Sequence, residues 1–132
     1  IDTSTPHTLW YIVNDFNGDG QEELCSVSVP DIPPVDYCRE YTYYKYEGGE
    51  LKPVQVFIIP FYTGDEKKSN LMQDIFDLIN AEGYLRIGDE GIVYETFQPA
   101  YDYTPGEMIE TLEELQKDKI LKIEGNRVYI DY

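Results

Sequence analysis

The residues best suited to chemistry in this chain lie close together near its amino end, between positions 15 and 23. The segment reads Asp-Phe-Asn-Gly-Asp-Gly-Gln-Glu-Glu, so residues that can offer an oxygen recur at every second position. Hard cations such as Ca²⁺ bind six to eight oxygens, at about 2.3–2.6 Å, from carboxylates, amides, backbone carbonyls and water. The spacing therefore predicts a calcium site, whose candidate ligands are Asp15, Asn17, Asp19, the backbone carbonyl of Gln21, and Glu23.

Two glycines make this loop plausible as a tight turn around an ion. Gly20 stands at the sixth position, where the chain must turn sharply and where we expect a left-handed conformation, and Gly18 relieves crowding between two ligands. Asn-Gly and Asp-Gly are also common in hairpin turns that bind no metal. A plain turn between two strands is therefore the alternative interpretation.

The segment resembles the DxDxDG calcium loop of EF-hands, dockerins and the FG-GAP repeats of integrin-like and secreted bacterial proteins. Counted from Asp15, the twelfth position of the loop is Ser26, whereas an EF-hand has a bidentate glutamate there. The flanking segments have the composition of strands rather than helices. The loop is therefore most similar to the FG-GAP type. The resemblance implies Ca²⁺ bound by the five residues named above, in an extracytoplasmic bacterial protein, and it implies no particular activity.

Length and charge limit the remaining classes of function. The chain has 132 residues, enough for one domain but not for two with separate large cores. It carries 10 basic and 26 acidic residues, a net charge of −16, so it repels nucleic-acid phosphates and anionic lipid surfaces. No apolar run approaches the roughly 20 residues that span a bilayer. We expect no nucleic-acid partner and no transmembrane segment.

The sequence gives little support for any other catalytic or metal-binding group of residues. His7 is the single histidine, which argues against a zinc site or a Ser-His-Asp set, and we expect it in a frayed terminus. The carboxylate pairs Asp74/Asp77 and Asp89/Glu90 could be proposed for acid–base catalysis. Among 26 acidic residues such pairs are expected by chance, and we expect them to be solvated. We predict that the protein is not an enzyme.

Aromatic residues offer a second kind of binding surface. Trp10 and the tyrosines at 41, 43, 44 and 46 could form a platform for a glycan or peptide ligand. Tyrosine is equally suited to packing in or over a sheet, and we favour packing.

The two cysteines, Cys25 and Cys38, flank a proline-rich segment at 29–36. If the segments on either side pair as a hairpin, the two thiols could form a disulfide, which would imply an oxidising compartment. Two separate buried thiols are the alternative, and the sequence leaves both open.

The first half of the chain reads as β-structure. The turn signal Gly48-Gly49 separates two strand-like runs, and Pro53 should lie near a strand start or on an edge, because it lacks an N–H. Four strands are predicted, at 9–14, 22–29, 38–47 and 50–59.

The second half reads as two helix–hairpin units. The first helix is predicted to be capped by Ser69 and ended by Gly83. The second begins with a capping box formed by Thr104 and Glu107, with Pro105 in the first turn. The two hairpins are predicted at 84–87 with 92–97, and at 120–123 with 127–132.

These two units are similar in sequence, since Leu85 and Ile87 align with Leu121 and Ile123. We interpret them as two helix–hairpin units in tandem. The sequence leaves open whether they arose by duplication, because any amphipathic helix followed by a hairpin looks alike. The predicted fold class is α+β, a single domain over 1–132. An antiparallel β-rich part with the calcium-type loop occupies 1–62, and two helix–β-hairpin units occupy 63–132.

Together these features predict an extracytoplasmic, calcium-stabilised binding or structural module with a protein or glycan ligand. The alternative is an acidic inhibitor or nucleic-acid mimic that binds a basic protein. That alternative depends on the net charge and on the acidic helix at 107–118.

Overall fold

A computed structural model describes residues 7–30, 39–59, 66–94, 98–99 and 101–132. The first part is a four-stranded antiparallel sheet whose strands lie in chain order. The strands are β1 His7–Asn14, β2 Glu23–Pro30, β3 Arg39–Glu47 and β4 Glu50–Ile59. All four predicted strands are confirmed to within two residues. The expectation of a frayed end at His7 is wrong, because β1 begins there and pairs with β2 from its first residue.

Pro53 lies where the prediction placed it, on an edge. In the described part of the chain β4 pairs with β3 only, and Pro53 stands beside an irregularity where the register shifts between Tyr43 and Tyr44. Because proline has no N–H to donate, an edge strand at a bulge tolerates it.

Side chains alternate between the two faces of this sheet. Tyr41 and Tyr43 are fully buried on the inner face, whereas Tyr46 is 69% exposed. The tyrosines at 41, 43, 44 and 46 therefore do not form one ligand platform, and packing of Tyr41 and Tyr43 in the core is confirmed.

Cys25 is a free thiol, fully buried on the inner face. Its cross-strand neighbour is Tyr43, so the β2–β3 pairing brings an aromatic ring opposite this thiol. Burial raises the pKa of Cys25 to about 12. Cys38, the other cysteine of the disulfide that the sequence left open, lies outside the described residues.

Helix α1 spans Glu66–Glu82. The prediction that Ser69 caps this helix is wrong, because the helix begins three residues earlier and Ser69 is buried within it. Lys67 and Lys68 in the added turn form ion pairs with Glu107 and Glu114 of the second helix, at 3.0 and 2.9 Å. These exposed ion pairs connect the first turn of α1 to the second helix.

The remaining elements form the second layer. They are β5 Leu85–Gly88, β6 Gly91–Ile92, α2 Pro105–Lys117, β7 Leu121–Glu124 and β8 Arg127–Ile130. The predicted strand at 92–97 is shorter than expected, because β6 pairs with β5 at only two positions. Residues 95–97 lie outside the described residues. The capping box at the start of α2 is confirmed, with Thr104 and Glu107 each accepting the other's backbone N–H.

The two hairpins join into one antiparallel sheet in the order β6-β5-β8-β7. Leu85 of β5 lies opposite Val128 of β8, and both are buried. The aligned residues Leu85 and Leu121 are both buried, as their shared position predicts. Any helix–hairpin unit would bury this position, so their burial does not decide between duplication and chance similarity.

One cluster of buried side chains includes residues of both parts of the chain, from Cys25 and Tyr41 to Leu112 and Ile130. The α+β class is confirmed: an antiparallel four-stranded sheet is followed by two helices, each leading into strands. Within the described residues, no helix has the length and apolar character needed to cross a membrane.

Candidate metal centre

Three carboxylates converge in the loop that joins β1 to β2. Asp15, Asp19 and Glu23 each place a carboxylate oxygen within 4.8 Å of those of the other two. Two oxygens bound to the same Ca²⁺ can lie at most about 5 Å apart, since each lies about 2.3–2.6 Å from the ion. The three acids are therefore close enough to share one ion.

Asp15 organises the loop through its side chain. Its Oδ1 accepts the backbone N–H groups of Gly18 at 2.9 Å and Asp19 at 3.2 Å, and its Oδ2 accepts that of Gly20 at 2.8 Å. Gly20 has a φ of 86°, the left-handed conformation predicted for the sixth position. The chain thus wraps around the first carboxylate of the motif.

Asn17 and Asp19 form the middle of the loop. Asn17 is buried, its Nδ2 donates to Asp19 Oδ2 at 3.3 Å, and its Oδ1 accepts the Asp19 N–H at 3.2 Å. Asp19 Oδ1 accepts the N–H of Gln21 at 2.8 Å. Burial raises the pKa of Asp19, but the hydrogen bonds from Gln21 and Asn17 outweigh it, and the pKa lies below its usual value. Asn17 is thus in contact with the acid cluster, and Gln21 donates its N–H to it.

Glu23 is the buried member of the cluster, only 6% exposed at the start of β2. Its Oε1 accepts the Phe16 N–H at 3.1 Å. Burial raises the pKa of Glu23 to about 7, and the negative charges of Asp19 and Asp15 add to the rise. An ionised Glu23 is therefore costly here, and either a proton or a cation would neutralise it.

The loop is attached to α1 and to the second sheet by contacts that sequence analysis did not anticipate. Asn14 Nδ2 donates to the carbonyls of Asn80 and Ala81 at the end of α1, at 3.2 and 3.3 Å. The carbonyl of Phe16 accepts the N–H of Ile130 at 2.9 Å. The sequence carries no signal for these pairings, because the partners lie more than 60 residues away.

Tyr132 adds a polar atom beside the cluster. Its hydroxyl is buried and has no hydrogen-bond partner among the described residues. Burial raises the pKa of Tyr132, and the charges of Glu23, Asp19 and Asp15 contribute to the rise. A water molecule, whether free or bound to a cation in the loop, would give this hydroxyl a partner.

The other carboxylate pairs behave differently from one another. Asp89 and Glu90 are exposed in the β5–β6 turn, as expected. Asp74 is only 9% exposed, so the expectation of a solvated side chain is wrong for it. Tyr103, packed over α1, explains the difference, because its hydroxyl lies 3.5 Å from Asp74 Oδ2. Asp77 accepts a hydrogen bond from Tyr41 at 3.0 Å and lies 4.0 Å from Arg39.

Replacing Asp74 with asparagine should stabilise the protein at neutral pH. Burial raises the pKa of Asp74 to about 6, and the charge of Asp77 adds to the rise. A carboxyl whose pKa is higher in the folded state stabilises the fold at low pH, and that contribution is lost as the pH rises through about 6. Denaturant unfolding should therefore show the asparagine variant about 1–2 kcal/mol more stable at pH 8 and equal near pH 4.

The control for this prediction is Asp89→Asn, which removes an exposed carboxylate and should change stability by no more than about 0.5 kcal/mol. An Asp74→Asn variant that is no more stable than the natural protein at pH 8 would contradict the prediction.

Comparison of this chain with known proteins found no match to a protein family, to a curated protein or to a solved structure. Functional inference therefore depends on the geometry of the site.

Proposed function

We propose that the loop at 15–23 binds one Ca²⁺ ion and that the protein is a calcium-stabilised structural or binding module without catalytic activity. The observation that carries this proposal is the convergence of three carboxylates, one of them buried, within 4.8 Å. No ion pair in the described part of the chain joins any of the three to a lysine or arginine. A bound divalent cation would remove the repulsion among them.

The ion would act on the fold through the elements that the loop touches. Asp15 and Glu23 flank the turn between β1 and β2, and the backbone between them accepts a hydrogen bond from Ile130 of the second layer. A ligand that binds only the folded state stabilises it by RT ln(1 + [L]/Kd), about 2.7 kcal/mol at a hundredfold excess over Kd. Calcium would therefore stabilise both sheets.

Thermal unfolding in millimolar Ca²⁺ and in chelator tests this proposal. We expect the melting temperature to be several degrees higher with Ca²⁺, since about 1 kcal/mol corresponds to roughly 3–5 °C for a chain of this size. Asp19→Ala should abolish the difference, because it removes a carboxylate of the cluster.

Glu113→Ala is the matched control, since it removes an exposed acid from the surface of α2. It should keep the full calcium-dependent shift. Equal melting temperatures in Ca²⁺ and chelator for the natural protein would refute the calcium site, whatever the variants do.

We place the protein outside the cytoplasm, where calcium is abundant. Position 12 of the loop is Ser26, which lies buried in β2 and cannot act as the bidentate carboxylate of a high-affinity loop. Extracellular calcium modules work with dissociation constants of about 0.1–1 mM. Calorimetric titration should place the affinity of this loop in that range.

The alternative function, an acidic inhibitor or nucleic-acid mimic, has less support. Two of the acids on α2, Glu107 and Glu114, already form ion pairs with Lys67 and Lys68. That alternative predicts a salt-sensitive complex with a basic protein and no effect of calcium on melting.

A further inference from the structure

The outer face of the first sheet has a composition unlike the rest of the surface. Seven large apolar side chains of the described residues are exposed, and strand alternation and the bulge at Pro53 place them all on this face, opposite the buried Tyr41 and Tyr43. We call this surface the outer sheet face. The seven residues are Tyr11 and Val13 of β1, Tyr46 of β3, and Leu51, Val54, Val56 and Ile58 of β4.

This face is also nearly free of charge. The central positions between the two edge strands hold short or half-buried residues, namely Leu24, Ser26, Ser28, Thr42 and Tyr44. Among the described outward positions of the four strands, Glu40 is the one charged residue. A neutral apolar face on a chain of net charge −16 is a large departure from its average surface.

We propose that two copies of this chain associate through the outer sheet face. The exposed parts of the seven side chains amount to about 700 Å², taking roughly 150–250 Å² for a fully exposed large side chain. A standard protein–protein interface buries about 800 Å² on each partner, so this face is large enough for a dimer. A second copy presents the same neutral surface, and sheet-on-sheet packing through such faces is a common arrangement.

The charge distribution favours a second copy over other occupants. A basic protein would find almost no acid on this face, and an anionic membrane would be repelled by the net charge of the chain. Two copies can join here while their acidic surfaces point away from each other. This inference is independent of the calcium site.

Sedimentation equilibrium over protein concentrations from about 5 to 500 µM tests the proposal. In millimolar Ca²⁺ and about 0.15 M salt we expect a monomer–dimer equilibrium that becomes tighter near 0.5 M salt, because added salt screens repulsion between two acidic chains. Val56→Lys should weaken association at least tenfold. It introduces a charge at an exposed position of an edge strand, where lysine is compatible with folding.

The matched control is Gln116→Lys, which makes the same change in charge on the exposed surface of α2 and should leave the dimer unchanged. Tyr11→Lys provides a second variant on a different strand of the outer sheet face and should also weaken the dimer. A monomer at 500 µM in both salts, or a dimer that neither Val56→Lys nor Tyr11→Lys weakens, would overturn the proposal.

Discussion

Phe76→Ala should destabilise the protein by about 3–5 kcal/mol, the usual cost of truncating a buried phenylalanine. Phe76 is fully buried on α1 and stacks on Phe57 and Tyr41 of the first sheet, with ring centroids 4.4 and 5.1 Å apart. The truncation removes both ring contacts and leaves a cavity between the helix and the sheet. Denaturant unfolding measures the loss directly.

Phe76→Leu is the matched control, because it keeps most of the apolar volume and loses only the stacking. It should cost about 1–1.5 kcal/mol. An alanine variant no less stable than the leucine variant would show that the helix does not depend on this contact. Both should bind Ca²⁺ like the natural protein while folded, since Phe76 does not line the loop and Tyr43 lies between its ring and that of Phe16.

Local sequence signals predicted much of the secondary structure. The Gly48-Gly49 pair marked the β3–β4 turn, and Thr104, Pro105 and Glu107 marked the start of α2, because these residues act on their immediate neighbours. The start of α1 was predicted too late, because Ser69 was taken as the capping residue although Asp65, which is equally suited to capping, directly precedes Glu66 in the sequence.

The candidate site also has one part that the sequence predicted and one part that it did not. The alternate oxygens at 15, 19 and 23 were visible in the sequence, and the structure brings these three carboxylates together. The attachment of the loop to Asn80 and Ile130 was not visible, because hydrogen bonds to a distant backbone carry no side-chain signature.

The outer sheet face shows a further limit of pattern reading. Alternation of apolar and polar residues usually shows which face of a strand is buried. In β4 apolar residues occur on both faces, with Phe57 on the inner side and Val56 and Ile58 on the outer. Helix α1 packs against the inner face, where Phe76 stacks on Phe57. Which apolar row is covered within the chain therefore depends on the tertiary packing, not on the strand itself.

Gly83→Ala should destabilise the fold by about 3 kcal/mol and also weaken calcium binding. A combined effect would show that the calcium site depends on how α1 packs against the loop. Gly83 ends α1 with a φ of 88°, and a Cβ there would lie 2.9 Å from the backbone carbonyl oxygen of Asp15. A left-handed alanine costs about 1–2 kcal/mol, and the contact with a backbone atom that cannot rotate away adds about 1–3 kcal/mol. Relief of that contact must shift the residue that carries the first carboxylate of the loop.

Gly125→Ala separates these two effects, because Gly125 has a similar φ of 65° but nothing within 4 Å of its added Cβ. It should cost about 1 kcal/mol and leave the calcium affinity unchanged. For Gly83→Ala, calorimetric titration should show binding weakened about tenfold, the effect expected when support for a metal ligand is disturbed. If the two alanine variants lose the same stability and bind Ca²⁺ equally well, the loop is not held against the end of α1, and its connection to the second layer would depend on the hydrogen bond between Phe16 and Ile130 instead.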